Sequence, residues 1–525
     1  MTHPRLVEAM TKPGFYPHRP PEVETLQTHI SFIFLAGDYV YKVKKAVDFG
    51  FLDFTSLEKR KHFCEEELRL NRRLAPDFYL DVVEIAEDTG GNINLEPRGR
   101  IIEYAVRMRR LPADRMLKKL LSEGRFSPPD MEKIARKVSD FHRQADTGGR
   151  IDENGAPAVI RHNQDENFEQ TEKYIGTTIP GETYRFIQSF INGFMDRHRP
   201  LFERRVREHR IRDCHGDLHI EHICLVDGVV IFDCIEFNER FRFGDAAAEV
   251  AFLAMDLDFN GYPDHATAFV DAYVRHSADI ELVKLLNFYR AYYAYVRGKV
   301  ISFRLDDRGI GERDREAAKE LASRYFDLAY AYAARPERKT LILTAGLMGT
   351  GKSILASRLA SLLRADLIRT DVVRKEMLHI DPGEHRYEEF GKGIYSEEVS
   401  RRVYDRALET AASRLRAGKS VIIDASFKSR TERLKAAQMA KDLQADFFIL
   451  ECRLPDRLIT QRLKARMSEK GEVSDGRADL LGAQKGDFEA IDEVPARSHI
   501  VVDTSRDPER CVHGVIAEIQ KRQTA

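Results

Sequence analysis

The sequence predicts two domains in tandem, an α+β domain followed by an α/β domain with a parallel sheet flanked by helices. Three observations predict this. The run Gly346-Leu347-Met348-Gly349-Thr350-Gly351-Lys352-Ser353 fits the pattern G-x-x-x-x-G-K-[ST] at every defined position. From residue 340 onward, β-prone apolar runs alternate with stretches of helical spacing, which is how a parallel sheet with helices on both faces reads. Before that point the order differs. Strand-like segments gather in residues 30–110, and residues 112–332 are mostly helical.

A chain of 525 residues is too long for one core. Apolar residues make up 43%, and no uninterrupted apolar run approaches the ~20 residues of a membrane-spanning helix. The segment Met1 to Pro21 has no apolar core, so no signal peptide is expected there. With 84 basic and 85 acidic residues, bulk electrostatic attraction to nucleic acid or membrane is not expected. Six cysteines occur without a C-x-x-C pair, and Cys214, Cys224 and Cys234 lie ten apart. That spacing does not suit a zinc site, so free thiols and a cytoplasmic setting are expected.

In the first domain the strands expected are His29–Ala36, Tyr39–Lys44, Val82–Ala86 and Ile102–Arg107, with one helix at Ser56–Leu74. A small sheet lobe followed by a helical lobe implies a cleft. Chemistry gathers in a strand-rich insert at Ile223–Phe232. It is preceded by His215-Gly216-Asp217-Leu218-His219 and ends at Asp233. The spacing sets two carboxylates toward one site, where one accepts a proton from a hydroxyl and the other holds Mg²⁺.

His215-Gly-Asp217-Leu-His219 resembles the catalytic loop of the aminoglycoside phosphotransferase and choline kinase-like family, whose fold is the bilobal protein-kinase fold. Ile231-Phe232-Asp233 resembles its metal-binding strand, and Tyr39-Val40-Tyr41-Lys42-Val43-Lys44 the strand whose lysine touches the nucleotide phosphates. The resemblance covers residues 25 to 300. It implies ATP and Mg²⁺ as ligands, Asp217 as the base, Lys42 as the phosphate lysine and Met108 to Leu111 as the hinge. Lys44 shares the face of Lys42 and remains a second candidate. Glu67, of Glu65-Glu66-Glu67, is in helical phase with Leu70 and Leu74 and is the lysine's expected partner. Where the family has asparagine, five residues after the catalytic aspartate, this chain has His222. Imidazole replaces oxygen poorly for Mg²⁺, so either Glu221 or Glu236 takes that ligand position, or one metal is bound weakly, or turnover is lost. Asp245 resembles a family aspartate that braces the catalytic loop. His142 reads as a packed helical histidine. Arg161, Asp165, Glu166 and Tyr174 are candidates for the cleft.

The expected boundaries are 1–332 for the first domain, 333–339 for a linker rich in charge around Pro336, and 340–525 for the second. In the second domain the strands expected are Leu341–Ala345, Leu367–Thr370, Ser420–Asp424, Asp446–Glu451 and His499–Asp503. Helices are expected between them, at Glu397–Leu415, Arg430–Lys441 and Arg457–Arg466. After the glycine loop, Ile354, Leu355, Leu359, Leu362 and Leu363 are expected on one side of a helix. The strand–glycine loop–helix setting is what a phosphate loop requires. Gly346, Gly349, Thr350 and Gly351 let backbone N–H groups converge at a helix N-terminus. Lys352 then reaches the terminal phosphates, and Ser353 with the strand-end Asp424 holds Mg²⁺.

Asp371 and Arg374, in Thr370-Asp371-Val372-Val373-Arg374, place a carboxylate beside the loop and an arginine one helical turn on. This Asp-x-x-Arg element is similar to that of polynucleotide kinases and zeta-toxin-like enzymes. It implies Asp371 as a base for a hydroxyl acceptor. Arg430 and Arg433 are expected to face substrate or solvent. Arg453, Arg457, Arg462 and Arg466 are the candidates to clamp a transferring phosphate, with Arg462 and Arg466 on one face. Glu469–Asp487 is polar, holds glycines and suits a lid.

The whole chain resembles bacterial proteins that join an aminoglycoside phosphotransferase-like domain to a P-loop kinase domain. The implied activity is transfer of the γ-phosphoryl group of ATP to a small-molecule hydroxyl acceptor, with no membrane partner. An ATP-driven switch with a non-catalytic first domain, or a kinase of nucleic-acid ends, are the alternatives.

Overall fold

The computed structural model describes residues 4–95, 99–307, 309–381, 392–466 and 480–523. The chain falls into two compact units, Met1–Ala329 and Tyr330–Ala525. The long helix Glu312–Ala334 runs through the division, so the second unit begins inside a helix rather than at the expected linker.

The first unit opens with a six-stranded antiparallel sheet of β1 (Val23–Gln27), β2 (Ser31–Ala36), β3 (Tyr39–Lys44), β4 (Tyr79–Glu87), β5 (Ile93–Asn94) and β6 (Arg100–Arg109), ordered β1-β2-β3-β6-β4-β5. Strand period two puts Lys42 and Lys44 on one face of β3, and both side chains are buried. Helix α1 (Leu57–Asn71) is started by Ser56, whose hydroxyl accepts from the Lys59 N–H at 3.2 Å. Glu67 lies on its buried face.

The helical part of the unit contains α2 (Met131–Gln144), α3 (Pro157–Thr171) and α4 (Gly181–Arg197). After the short strands β7 (Ile211–Asp213), β8 (Ile223–Cys224), β9 (Val230–Ile231) and β10 (Phe243–Asp245) come α5 (Ala246–Phe259), α6 (Pro263–Ser277) and α7 (Leu282–Ser302). Strands β7 and β10 pair, as do β8 and β9. Helix α5, AAAEVAFLAMDLDF, is apolar nearly all round and is buried from Ala246 to Leu257, as befits a central helix. Asp245 caps it, accepting from the Ala247 N–H at 2.8 Å. The same carboxylate pairs with the buried Arg205 at 2.5 and 2.7 Å, and Arg205 also holds Asp279 at 2.8 and 3.0 Å.

The second unit is a mixed α/β fold around an all-parallel sheet. Its strands are β11 (Thr340–Ala345), β12 (Asp366–Arg369), β13 (Val421–Asp424), β14 (Asp446–Arg453) and β15 (His499–Asp503), ordered β12-β13-β11-β14-β15. Every residue of the central β11 is buried, which parallel sheets with two covered faces require. The helices are α8 (Lys352–Leu363), α9 (Thr370–Met377), α10 (Glu397–Arg416), α11 (Arg430–Asp442), α12 (Asp456–Arg466), α13 (Leu481–Gly486) and α14 (Pro508–Gln523). On α8 the buried face is Leu355, Ala356, Leu359, Ala360 and Leu363. Ile354, expected on that face, is 55% exposed, because one residue back turns it about 100° around the helix.

All six cysteines are free and buried. Among the described residues no helix is long and apolar enough to cross a membrane.

Arg205→Met would leave two buried carboxylates uncompensated. We expect urea unfolding to show a loss of about 3–5 kcal/mol in the transition of the first unit. A loss below about 1 kcal/mol would contradict this account of the Arg205 cluster.

Candidate functional site

In the first unit, Lys42 Nζ lies 2.8 Å from Glu67 Oε1 and 2.6 Å from Asp233 Oδ1. Lys44 Nζ lies 2.6 Å from the other oxygen of Glu67 and also pairs with Glu236. One glutamate therefore bridges both lysines. Burial works against charge on Lys42, yet Asp233 and Glu67 together hold its pKa well above the ordinary lysine value. Burial pushes Glu236 upward against the pull of Lys44. Asp233 sits at the end of the hairpin with φ of +63°, a left-handed conformation that aspartate tolerates better than most residues. Its N–H donates to the Tyr79 hydroxyl at 3.2 Å.

The loop 214–222 faces this cluster. The N–H groups of His215 and Gly216 both donate to Glu249 Oε1 at 2.7 Å. The Ile220 N–H donates to Asp256 Oδ2 at 3.0 Å. Glu249 and Asp256 are two turns apart on α5, so one helix face holds both ends of the loop. The other oxygen of Glu249 meets His142 Nε2 at 2.7 Å, and His142 Nδ1 meets the Tyr273 hydroxyl at 2.8 Å. His142 is thus packed on its helix but supports the loop through Glu249. The sequence signal for Glu249 and Asp256 is plain once known: they are acids inside an otherwise apolar helix.

Within the loop, Asp217 Oδ2 is 3.5 Å from His219 Nε2 and 3.5 Å from His222 Nδ1, and His222 Nε2 is 3.5 Å from Asp233 Oδ2. Burial raises Asp217, but the hydrogen bond from His219 and the neighbouring imidazoles hold it down to about 2. Of the two proposed substitutes for His222, Glu221 points away to Lys118, both exposed, and Glu236 is taken by Lys44.

The four cleft candidates share no common partner, and Asp165 is exposed. Arg161 pairs with Asn192 and Asp196 at 2.7 Å, Tyr174 with Asp306 at 2.7 Å, and Glu166 with Arg240. Near the last pair, Lys299 donates to Asn167 Oδ1 at 2.5 Å and Gln170 Oε1 at 2.7 Å. Burial lowers Lys299 to about 8.

In the second unit, the phosphate loop runs from β11 to the N-terminus of α8. Gly346, Gly349 and Gly351 have φ of +129°, +74° and +86°. A Cβ at Gly346 would come 2.5 Å from the Cys452 carbonyl oxygen, and one at Gly349 would meet Leu463 at 2.9 Å. Lys352 Nζ and Thr350 Oγ1 both donate to the Leu347 carbonyl at 2.7 Å. The Met348 N–H donates to Gln484 Oε1 at 2.7 Å, a partner on α13 that no motif points to. Asp424 ends β13 beside the loop strand and is 7% exposed. It accepts from Thr344 Oγ1 at 3.3 Å and lies 3.5 Å from Arg369 Nε. The oxygen donors Ser353 and Asp424 suit Mg²⁺.

Asp371 is in the first turn of α9, which leaves the next strand, β12. Arg374 is buried, donates to the Ile394 carbonyl at 2.8 Å and lies over the Tyr395 ring at 4.8 Å.

Two arginine expectations need correction, those at Arg433 and Arg453. Arg433 faces neither substrate nor solvent: it is fully buried and binds Glu493 and the carbonyls of Phe427, Lys428 and Ala490. Arg453 is the last residue of β14, not part of the helix, and pairs with Glu451 at 2.8 Å. Arg430 is exposed and pairs with Asp492 at 3.2 Å. Arg462 donates to the Thr504 carbonyl at 2.9 Å. The side chain of Arg466 and residues 469–479 of the expected lid lie outside the described residues; the rest of that stretch includes α13 and Gln484.

A family model described as an AAA domain matches residues 341–491, so the second unit carries an AAA-type P-loop domain. Uncharacterized proteins of Mycobacterium tuberculosis (strain ATCC 25618 / H37Rv) and Mycobacterium bovis are each 30% identical over 475 residues, covering 89% of this chain and 91% of their own. The chain belongs to the same family as these mycobacterial proteins. Solved structures with a similar region include a gluconokinase from Sinorhizobium meliloti (18% identity, 35% of this chain and 94% of that one, TM-score 0.26). The APS kinase of Mycobacterium tuberculosis is another (20% identity, 35% and 99%, TM-score 0.26).

The Lys299 position gives a pH test. A lysine lowered to about 8 when folded releases its proton between pH 8 and its unfolded value of 10.5. The unfolded chain binds more protons there, so stability rises with pH across that window. We expect the wild type to gain stability relative to Lys299→Met from pH 8 to 10.5, read by thermal unfolding. A pH-independent difference would refute the shift.

Proposed function

We propose that this protein is an ATP-dependent phosphotransferase. In this reading its C-terminal domain moves the γ-phosphoryl group of ATP to a hydroxyl of a small molecule. The observation that carries the reading is the shared edge of three adjacent strands. β11 ends in the phosphate loop, β13 ends in Asp424, and β12 leads into Asp371. Ligands of open parallel sheets bind at this carboxyl edge.

The role of each residue follows from its chemistry. The N–H groups at the start of α8 receive phosphate oxygens, with the helix dipole favouring negative charge. Lys352 exchanges its bond to the Leu347 carbonyl for a terminal phosphate. Ser353 and Asp424 hold Mg²⁺, which when bound neutralises charge on the transferring group. Asp371 accepts the acceptor's proton. Arg374, held by the Ile394 carbonyl, shapes the acceptor side, and Arg462 and Arg466 are the cations on α12 for the phosphoryl group. Oxygen-only donors and a single catalytic carboxylate fit an alcohol acceptor.

For the first unit we propose a second nucleotide site of the aminoglycoside phosphotransferase type. Lys42, braced by Glu67, meets the phosphates, Asp233 holds the metal, and Asp217 acts as base. The separate rival is a lobe that binds without turnover, favoured by His222 in place of an oxygen donor.

Calorimetry with ATP and Mg²⁺ on the wild type, Lys352→Ala and Asp233→Ala tests both parts. Two sites are expected in the wild type, one lost in each variant, with affinity at the affected site falling at least about tenfold, or ~1.4 kcal/mol. A single site lost only in Lys352→Ala would remove the first unit from the reading. ATP hydrolysis that is fast without any acceptor would favour a switch over a kinase.

A further inference from the structure

We propose that the site in the first unit binds its divalent cation through the imidazole of His222 together with Asp233, and therefore selects Mn²⁺ over Mg²⁺. This rests on the reading of that unit as a nucleotide site. It goes beyond that reading by naming the ligand atoms and the class of ion.

The argument begins with a tautomer. His222 Nδ1 lies 3.0 Å from the Asp217 main-chain oxygen. A carbonyl oxygen can only accept, so Nδ1 carries a proton, and in the neutral ring Nε2 keeps its lone pair. That Nε2 faces Asp233 Oδ2 at 3.5 Å. In that neutral ring two acceptors face each other across the gap, as two ligands of one cation do. Ligand atoms about 2.1 Å from a shared ion stand ~3.0–3.5 Å apart, so the gap is the edge of a coordination polyhedron.

The surroundings fix both ligands. Asp233 Oδ1 is taken by Lys42 at 2.6 Å, which leaves Oδ2 to face His222. A metal-ligating histidine commonly gives its other N–H to a carbonyl, as His222 does. Its side chain is 14% exposed, while that of Asp233 is 42% exposed, so the edge is open on the side where phosphate oxygens and water would complete the shell.

His219 has the opposite arrangement. Its Nδ1 accepts from the Glu221 N–H at 3.3 Å, which puts the proton on Nε2, directed at Asp217 Oδ2 3.5 Å away. His219 therefore orients Asp217 and is not a ligand. One nitrogen among oxygen donors disfavours Mg²⁺. Mn²⁺ takes the carboxylate, phosphate and water oxygens of such a site and, as a transition ion, tolerates a single imidazole better than Mg²⁺ does.

The test uses the full chain with Ser353→Ala and Asp424→Asn, which removes the oxygen donors of the second unit. Mn²⁺ is added with a non-hydrolysable ATP analogue, and pulsed EPR reads the nuclei coupled to the ion. We expect a ¹⁴N coupling that vanishes both in His222→Asn and on labelling histidine with ¹⁵N. The labelling arm needs no substitution at residue 222, so it does not depend on how His222→Asn folds. Competition by Mg²⁺ should show at least a tenfold preference for Mn²⁺, falling toward unity in His222→Asn. Mn²⁺ bound with the nucleotide but without nitrogen coupling would overturn the inference and leave the nucleotide site standing. Failure of this protein to bind Mn²⁺ and nucleotide at all would overturn both. Unchanged coupling in His222→Asn would also overturn it, because another nitrogen would then be the ligand.

Discussion

The loop at His215-Gly216 in the first unit depends on the buried carboxylate of Glu249. The turn at His215-Gly216 leaves the strand ladders, so its N–H groups need partners elsewhere. Both find one oxygen of Glu249, and the other oxygen meets His142. A buried carboxylate is costly unless its lone pairs are used. Here three charge-assisted bonds use them. Gly216 must then run close to the chain: its φ is +85°, and a Cβ there would stand 2.9 Å from the Phe241 carbonyl oxygen. With Asp256 pinning Ile220 two turns along α5, the backbone between is fixed at both ends, and Asp217 and His219 keep their directions from it.

The phosphate loop of the second unit solves the same problem differently. Its bonds are to neutral groups: Thr350 to the Leu347 carbonyl, and the Met348 N–H to the Gln484 amide. A neutral hydrogen bond contributes only about 1 kcal/mol net, and bonds to charged groups about twice that. An anion can displace such partners where it could not displace a buried carboxylate. The first unit thus has a loop set permanently by its own core, and the second a loop whose polar groups are held exchangeably. Gln484 joins that loop to α13, so a change at Met348 is felt by the segment that follows α12.

The period of the chain made much of this legible. A β-prone, largely apolar run of six residues before a glycine loop reads as a central parallel strand, and Thr340–Ala345 is buried at every position. Alternation made Lys42 and Lys44 share a face, and helical phase put Glu67 inward. What periodicity does not encode is which partner a long polar side chain selects. Arg433 has the spacing of a surface arginine, but the turn at 427–428 and the segment 490–493 close over it. Ile354 is apolar yet exposed, because it stands one residue, about 100°, away from the buried face that Leu355 and Leu359 share. Glu249 and Asp256 were visible as acids in an apolar helix, but their bonds run to a loop some thirty residues away. The same limit hid Gln484, whose partner is more than a hundred residues distant.

The charges around Lys42 explain why this part of the first unit needs something more than its own side chains. Two lysines, Lys42 and Lys44, stand among three carboxylates, Glu67, Asp233 and Glu236. Burial raises Glu236 against the pull of Lys44, while Lys42 helps outweigh burial at Asp233, which is held well below the usual carboxylate range. Three carboxylates outnumber two lysines, and of the three Asp233 is the one beside His222. That is also the most exposed member, at 42% against 10% or less for the other four. A cluster with one carboxylate in surplus and its open end at Asp233 attracts a cation from solvent to that end. A fixed asparagine at residue 222 would add only a neutral dipole there. An imidazole adds a lone pair with a preference among cations, so the departure at His222 changes the kind of cation the cluster can retain rather than its need for one.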